Sequence, residues 1–359
     1  MMLTICHINL AKGFRGGERQ TELLIKALCE HDSIYQKVIV RKDSPLLEKI
    51  TFRKNKLHLY RATKPYVRHT SRIKGSSLVH VHEAKGGQLA FLAHRIYGIP
   101  YLITRRVPNP IKSNPLTSRI YSSADRIVAL SSAIRKVLVS YDSNLKPIII
   151  PSMVSNLSVD PRSRNRIRKR YKNKFLVGHA GALVNRHKGQ QYILEAAAHL
   201  QDEFPQVHFL LLGEGPDERT LTRAAKGLKN LELLGFRDNV GDFLAAFDAF
   251  AFPSLREGLG SVLLDAMQFR LPIVASNVDG IPDIIEHGKN GLLIPPQDGK
   301  ALAEAIAYMY RNQHMCKKLS RNAFKTSQHY HPSVIVKKYL RLYQEICFEP
   351  YAGSSILAT

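Results

Sequence analysis

The feature that most constrains the fold is a repeated alternation of short apolar runs with helical patterns. The runs LTICHINL, KVIV, LHLY, LVHVH, YLIT, RIVAL and PIIIP recur through the first 151 residues, bounded by turn residues, with ERQTELLIKALCEH and GGQLAFLAHRIYG between them. Apolar runs without a polar face belong in strands covered on both sides, and helical connections make the sheet parallel. The second half repeats the pattern: FLVGHAGAL, the helical QQYILEAAAHLQ, VHFLLLG, a helix ending near Gly227, LELLGF, AFAFPS, PIVAS and GLLIP. A chain of 359 residues exceeds one ordinary core. The expected class is α/β, with two doubly wound parallel-sheet, Rossmann-like domains facing a cleft. Residues 1–155 form the first expected domain and 175–332 the second, with PRSRNRIRKRYKNK inside a basic linker and helix at 156–174.

Charge and cysteine usage narrow the class. Residues 1–150 hold 26 Lys and Arg against 9 Asp and Glu, residues 151–178 hold 8 against 1, and the remainder holds 19 of each. The whole excess of +24 thus lies in the first half and the linker, which suits an anionic partner such as membrane lipid, a phosphorylated glycan or nucleic acid. A basic solvated face without a specific partner is the plainer alternative. No apolar run approaches the roughly 20 residues of a membrane span, and LTICHINL is too short for a signal peptide, so a soluble, unexported protein is expected. Cys6, Cys29, Cys316 and Cys347 lie far apart with no CxxC pair, which points to reduced core residues rather than a disulfide framework or zinc knuckle. The Asn156-Leu157-Ser158 sequon then reads as coincidence.

In doubly wound domains, ligands sit beyond the carboxyl ends of the strands. One such end carries SLREGLGSVLLDAMQF, with Glu257 and Asp265 eight positions apart around Gly258 and Gly260. Ser261 can cap the following helix, and the glycines let backbone amides approach a phosphate at its start. Asp265, about one turn inside, can accept from a ribose diol. A glycosidase pair is disfavoured, because eight helical residues separate the acids by about 12 Å, beyond the roughly 5 to 9.5 Å of hydrolysis. Alternatively, Asp265 complements the helix dipole and Glu257 is a solvated loop acid.

EGLGSVLLDAM followed by LPIVASNVDGIPDIIEHGKNGLLIPPQD resembles the signature of retaining glycosyltransferases of family four, which have the two-domain GT-B fold. Across nearly the whole chain the resemblance implies that Glu257 contacts the donor sugar, the amides of Gly258, Leu259 and Gly260 the diphosphate, and Asp265 the ribose. Asp265 stands where the family usually has a second Glu, and Arg270 where a glycine usually precedes the LP step. GHAGALVNRHKGQ resembles the family's glycine-rich turn, which makes Lys188 a diphosphate ligand. Ala182 replaces the usual arginine, and Arg186 is expected to supply the second cation. Such cations stabilise the charge that builds on the departing diphosphate.

In the first half, AKGFRGGERQ follows a strand and opens a helix, and the resemblance lays Gly16 and Gly17 against the donor. It is not GxGxxG, and no GxxxxGK[ST] occurs, so a Rossmann dehydrogenase or P-loop ATPase loses support. VHVHEAKGGQLA resembles the segment whose second histidine, His82, faces the reaction centre and can donate to a sugar hydroxyl or meet the acceptor. Taken alone, a histidine at a strand end is more often a hydrogen-bonded core residue. TRRVPNP, where many relatives have a histidine after the threonine, resembles a branch tied to bacterial cell-surface polysaccharides, and Arg105 and Arg106 there suit a phosphorylated acceptor. Met153 replaces a common glycine. The last helix, about 333–348, is expected to cross back to the first domain.

The resemblance therefore implies a retaining, metal-independent sugar transferase using a UDP- or GDP-linked donor and no cofactor. Its acceptor is a glycan or lipid-linked molecule of cell-surface polysaccharide or lipopolysaccharide biosynthesis. Location is expected in the cytoplasm, peripheral at the inner membrane's cytoplasmic face through the basic half, without nucleic acid. A sugar-nucleotide epimerase of similar fold is the alternative enzyme, and a nucleic-acid-binding protein the alternative class.

Overall fold

The computed structural model describes residues 2–52 and 54–348. They form two compact units, one running to Met153 and resuming at His331, the other spanning Val154–Tyr330.

The first unit contains seven parallel strands, β1 (Leu3–Asn9), β2 (Ile34–Arg41), β3 (Leu57–Ala62), β4 (Leu78–Val81), β5 (Tyr101–Arg105), β6 (Arg126–Ala129) and β7 (Ile148–Ile149). Their spatial order is β3-β2-β1-β4-β5-β6-β7. Chain direction of growth reverses between β1 and β4, the topological switch point at which doubly wound sheets bind ligands. Central strands are buried on both faces, as β4 shows with all four residues buried. One face carries Leu3, Ile5, Leu78 and Leu102 against the helices Gly16–Leu28 and Pro332–Phe348, the latter inserting Ile335, Tyr339, Leu342 and Tyr343. The last helix is therefore part of the first unit's core.

The second unit has six parallel strands, β8 (Phe175–Ala180), β9 (Val207–Leu212), β10 (Leu231–Gly235), β11 (Ala249–Phe252), β12 (Ile273–Ser276) and β13 (Leu292–Ile294). The order β10-β9-β8-β11-β12-β13 places its switch point between β8 and β11. A core of Ile193, Phe209, Ala251, Leu302 and Ile306 fills the space between this sheet and the helices Gln190–Leu200 and Gly299–Arg311.

The basic segment expected as a linker and helix contains the helix Pro161–Arg170, which belongs to the second unit. Arg168 makes a bidentate pair with Asp248 at 2.6 and 2.8 Å, Arg170 pairs with Glu232, and the Arg164 Nε donates to the Ala245 carbonyl at 3.0 Å. Part of its charge is thus spent on internal pairs. Three of the four cysteines are buried and Cys347 is half-buried, and none of them is in a disulfide among the described residues.

Arg270 has a left-handed backbone, φ +57°, the conformation a glycine adopts most easily. Its guanidinium lies 4.0 Å from the Phe324 ring centroid, a cation–π contact that offsets the backbone cost. Arg270→Ala keeps that cost and loses the contact, whereas Arg270→Gly loses the contact and removes the cost. In urea unfolding the glycine variant should therefore be the more stable of the two by about 1 kcal/mol. An alanine variant as stable as the glycine variant would show that the backbone is unstrained.

Candidate active site

In the second unit, the turn after β8 and the loop after β11 flank the switch point, and an ion pair between Lys188 and Glu257 ties them together. Both side chains are largely buried, 23% and 15% exposed, and the Lys188 Nζ also lies 5.2 Å from the Phe252 ring centroid. The backbone holds this meeting in place. The His187 carbonyl accepts from the amides of Leu255 and Arg256 at 2.8 and 3.1 Å. Gly189, at φ +63°, sits so close to the Pro253 carbonyl that a Cβ would approach its oxygen to 2.1 Å. The Glu257 amide donates to Asp279 Oδ2 at 2.8 Å, and Gly258 donates to Glu257 Oε1 at 3.2 Å.

The glycine-rich loop then turns into the helix Ser261–Gln268. Gly260, at φ +84°, is its N-cap, so Ser261 is the first helical residue and not the expected cap. No side chain caps this start. Leu259 is buried, anchoring the loop between its glycines. Arg186 is exposed on the four-residue helix Asn185–Lys188. Burial, reinforced by Arg186, Lys188 and Arg256, pulls the His187 imidazole below its usual range, the mark of a local cluster of positive charge.

Asp265, in the helix Ser261–Gln268, meets a different partner from Glu257. Its carboxylate accepts from the Ser155 amide at 2.7 Å and the Ser155 hydroxyl at 3.1 Å. A ribose diol would compete with Ser155 for those oxygens. Arg256 and Asp279, 3.7 Å apart, were not singled out from the sequence, although Asp279 stands in VDG and has the positive φ, +47°, that aspartate tolerates.

In the first unit, the resemblance pointed to His82, Arg105, Arg106, Gly16 and Gly17. The paired glycines open the helix Gly16–Leu28, whose Glu18 carboxylate accepts from the Arg15 amide at 2.9 Å. His82 and Arg106 come together, Arg106 Nη2 lying 3.2 Å from His82 Nδ1, and a Cβ added at Gly17 would meet the Arg106 Cδ at 3.4 Å. Arg105 turns elsewhere, donating to the Tyr121 hydroxyl at 3.1 Å and to the Asn109 carbonyl. Glu83, also missed, accepts amides of Leu10, Lys85 and Gly86 at 3.1, 2.7 and 2.7 Å and so joins the loops after β1 and β4.

His7, His80 and His82 form a buried trio whose ring nitrogens lie within 4.8 Å of one another. Its surroundings do not suit a divalent metal. His82 Nδ1 faces a guanidinium, and His80 bonds the Tyr343 hydroxyl at 2.8 Å and the Thr104 hydroxyl at 2.7 Å. Two further charges would be added beside Arg106, for which no carboxylate lies at ion-pair distance among the described residues.

Two Rossmann-like sheets of this order, each with polar groups at its switch point, define the GT-B architecture. Residues 174–312 match the family described as Glycosyl transferases group 1. The chain is 29% identical over 191 residues to the putative glycosyltransferase EpsD of Bacillus subtilis, covering 52% of this chain and 50% of that one. It is 30% identical over 269 residues to the putative teichuronic acid biosynthesis glycosyltransferase TuaC of the same organism, covering 70% and 66%. The matches thus span one half to two thirds of these relatives. Among solved structures, Anabaena Alr3699/HepE in complex with UDP-glucose aligns with a TM-score of 0.83 at 20% identity, over 96% of this chain and all of that one.

The buried histidines set a pH dependence. Burial first, with Gln36 opposing it, holds His7 down at about 3; burial also holds His179 down at about 4 and His80 and His82 well below their usual range. All four are neutral in the fold, while the unfolded chain protonates them near pH 6.5, so stability present above that pH is lost below it. Between about pH 7.5 and 5 His7 and His179 should each cost about 2 kcal/mol, with His80 and His82 acting in the same direction. Denaturant unfolding at the two pH values measures the loss, and a chain equally stable at both would contradict neutral burial.

Proposed function

We propose that the protein is a retaining, metal-independent glycosyltransferase that moves a sugar from a UDP- or GDP-linked donor to a glycan or lipid-linked acceptor. The observation that carries this reading is the Lys188–Glu257 ion pair at the second unit's switch point. A cation and an acid held side by side at the start of a glycine-rich loop match the two ends of a sugar diphosphate. Lys188 meets the diphosphate oxygens, with exposed Arg186 as the second cation, and Glu257 accepts from sugar hydroxyls. The amides around Gly258–Gly260 add donors at the helix start.

As the anomeric carbon–oxygen bond breaks, charge collects on the diphosphate, where fixed cations stabilise it. The acceptor oxygen bonds the same face of the sugar and passes its proton to the departing phosphate, so the anomeric configuration is retained and no enzymic base is required. The lysine and arginine take the charge-neutralising part that a divalent ion plays elsewhere. Fold likeness to a protein solved with UDP-glucose favours a uridine donor, and the relative named for teichuronic acid biosynthesis favours a cell-surface polysaccharide product.

Glu257→Gln should abolish transfer, Lys188→Ala should weaken donor binding and lower turnover, and His187→Ala should do much less. Removing one such stabilising cation costs on the order of 100- to 1,000-fold in kcat. Transfer from UDP- and GDP-sugars followed in EDTA tests both halves of the reading. Activity that requires added Mg²⁺ or Mn²⁺ would overturn the metal-independent mechanism.

The same reading places the protein at an anionic membrane surface through its basic half. No helix among the described residues is long and apolar enough to cross a membrane, and electrostatic recruitment requires none. Arg162, Arg166, Lys169 and Lys172 are exposed, whereas Arg168 and Arg170 are engaged in ion pairs. Of the run at 53–56, Arg53 lies outside the described residues. Flotation with phosphatidylglycerol vesicles should show binding that fades as salt rises and weakens when those four exposed residues become Gln. Binding indifferent to salt would refute it.

A further inference from the structure

The polar cluster of the first unit has a direction. An arginine only donates hydrogen bonds, so the 3.2 Å contact of Arg106 Nη2 fixes His82 Nδ1 as the acceptor. A neutral His82 then carries its proton on Nε2, which lies 2.9 Å from His7 Nδ1 and donates to it. His7 then carries its own proton on Nε2, a buried atom with no hydrogen-bond partner among the described residues. The chain runs one way, from Arg106 through His82 to His7.

Both nitrogens of His82 are consumed in this chain, and the residue is 2% exposed. A hydrogen bond from His82 to a sugar would break it. Arg106 is different. Its Nε is sealed from solvent with no partner, His82 is the acceptor it meets among the described residues, and burial pulls its guanidinium below the usual arginine range. Glu18 acts on it only at longer range. A cation set among neutral rings and hydroxyls is poorly compensated by the protein alone and calls for an anion.

We propose that Arg106 is the phosphate-binding group of the first unit and that His82 is its positioning residue, holding the guanidinium through the donor chain to His7. Arg105, bound to Tyr121 and Asn109, is not part of this site. The assignment deepens the glycosyltransferase reading, since a donor diphosphate and a phosphorylated acceptor offer the same chemistry. It rests on that reading only for the identity of the phosphate's carrier.

The test uses the full chain and no turnover, so it can fail independently of transferase activity. Calorimetric titration with inorganic diphosphate and, separately, with UDP compares the wild type with Arg106→Met. Loss of a charge-assisted contact should lower diphosphate affinity about ten- to a hundredfold. An equal loss for UDP assigns the phosphate to the donor, and an unchanged UDP affinity assigns it to the acceptor. Unchanged affinity for both overturns the proposal. His82→Asn retains an acceptor in place of Nδ1 and should bind diphosphate within about threefold of wild type, while His82→Gln, lacking it, should follow Arg106→Met. The reverse order would mean that His82 donates from Nε2 to the ligand. Nitrogen-15 spectra of the histidines give a check that needs no variant to fold: His82 should appear protonated at Nε2 and bare at Nδ1, and the opposite tautomer rules the chain out.

Discussion

The contact between Lys188 and Glu257 depends on the order of the second sheet. Only because β8 and β11 are neighbours at a switch point do the loops that follow them, 69 positions apart at these two residues, open on the same spot. A largely buried ion pair adds little net stability, because desolvating two charges offsets their attraction. The structure nevertheless spends much backbone on placing it: two amides on one carbonyl, a glycine with no room for a side chain, and an aspartate in a left-handed turn holding the Glu257 amide. That expenditure makes sense if each charge exchanges its partner for part of a substrate, the cation for phosphate and the acid for sugar hydroxyls.

The two units solve the same topological problem with different polar chemistry. At the second switch point the charges are accessible enough to be recruited. At the first, neutral histidines and tyrosines surround one guanidinium, and His80 is fixed by hydroxyls from β5 and from the last helix. The Tyr343 hydroxyl that meets His80 lies 263 positions away, so the return of the chain's end completes this polar interior.

Much of the fold could be read from the sequence because doubly buried strands and amphipathic helices leave local signals, and each apolar run quoted at the outset lies in or overlaps a strand. Arg270 stood out in the sequence only as an arginine in a glycine's place, and the structure adds the left-handed turn that explains the glycine. What local patterns cannot reveal is which distant group a polar side chain meets. Glu257 and Asp265 look alike in sequence, yet one pairs with Lys188 and the other with Ser155, 110 positions earlier. His82 reads as a strand-end histidine, and only its contacts with His7 and Arg106 show both nitrogens committed. The basic stretch around 162–174 reads as free charge until Asp248 and Glu232 are seen opposite it.

The central claim is that Lys188 is held by Glu257 and released to a diphosphate. A double-mutant cycle on UDP affinity, with Glu257→Gln, Lys188→Met and the pair, measures that exchange directly. If the claim holds, Glu257→Gln leaves UDP binding intact or tightens it, because Lys188 no longer has a competing acid, and this effect disappears in the Lys188→Met background. Glu257→Gln weakening UDP binding by the same factor in both backgrounds would contradict it.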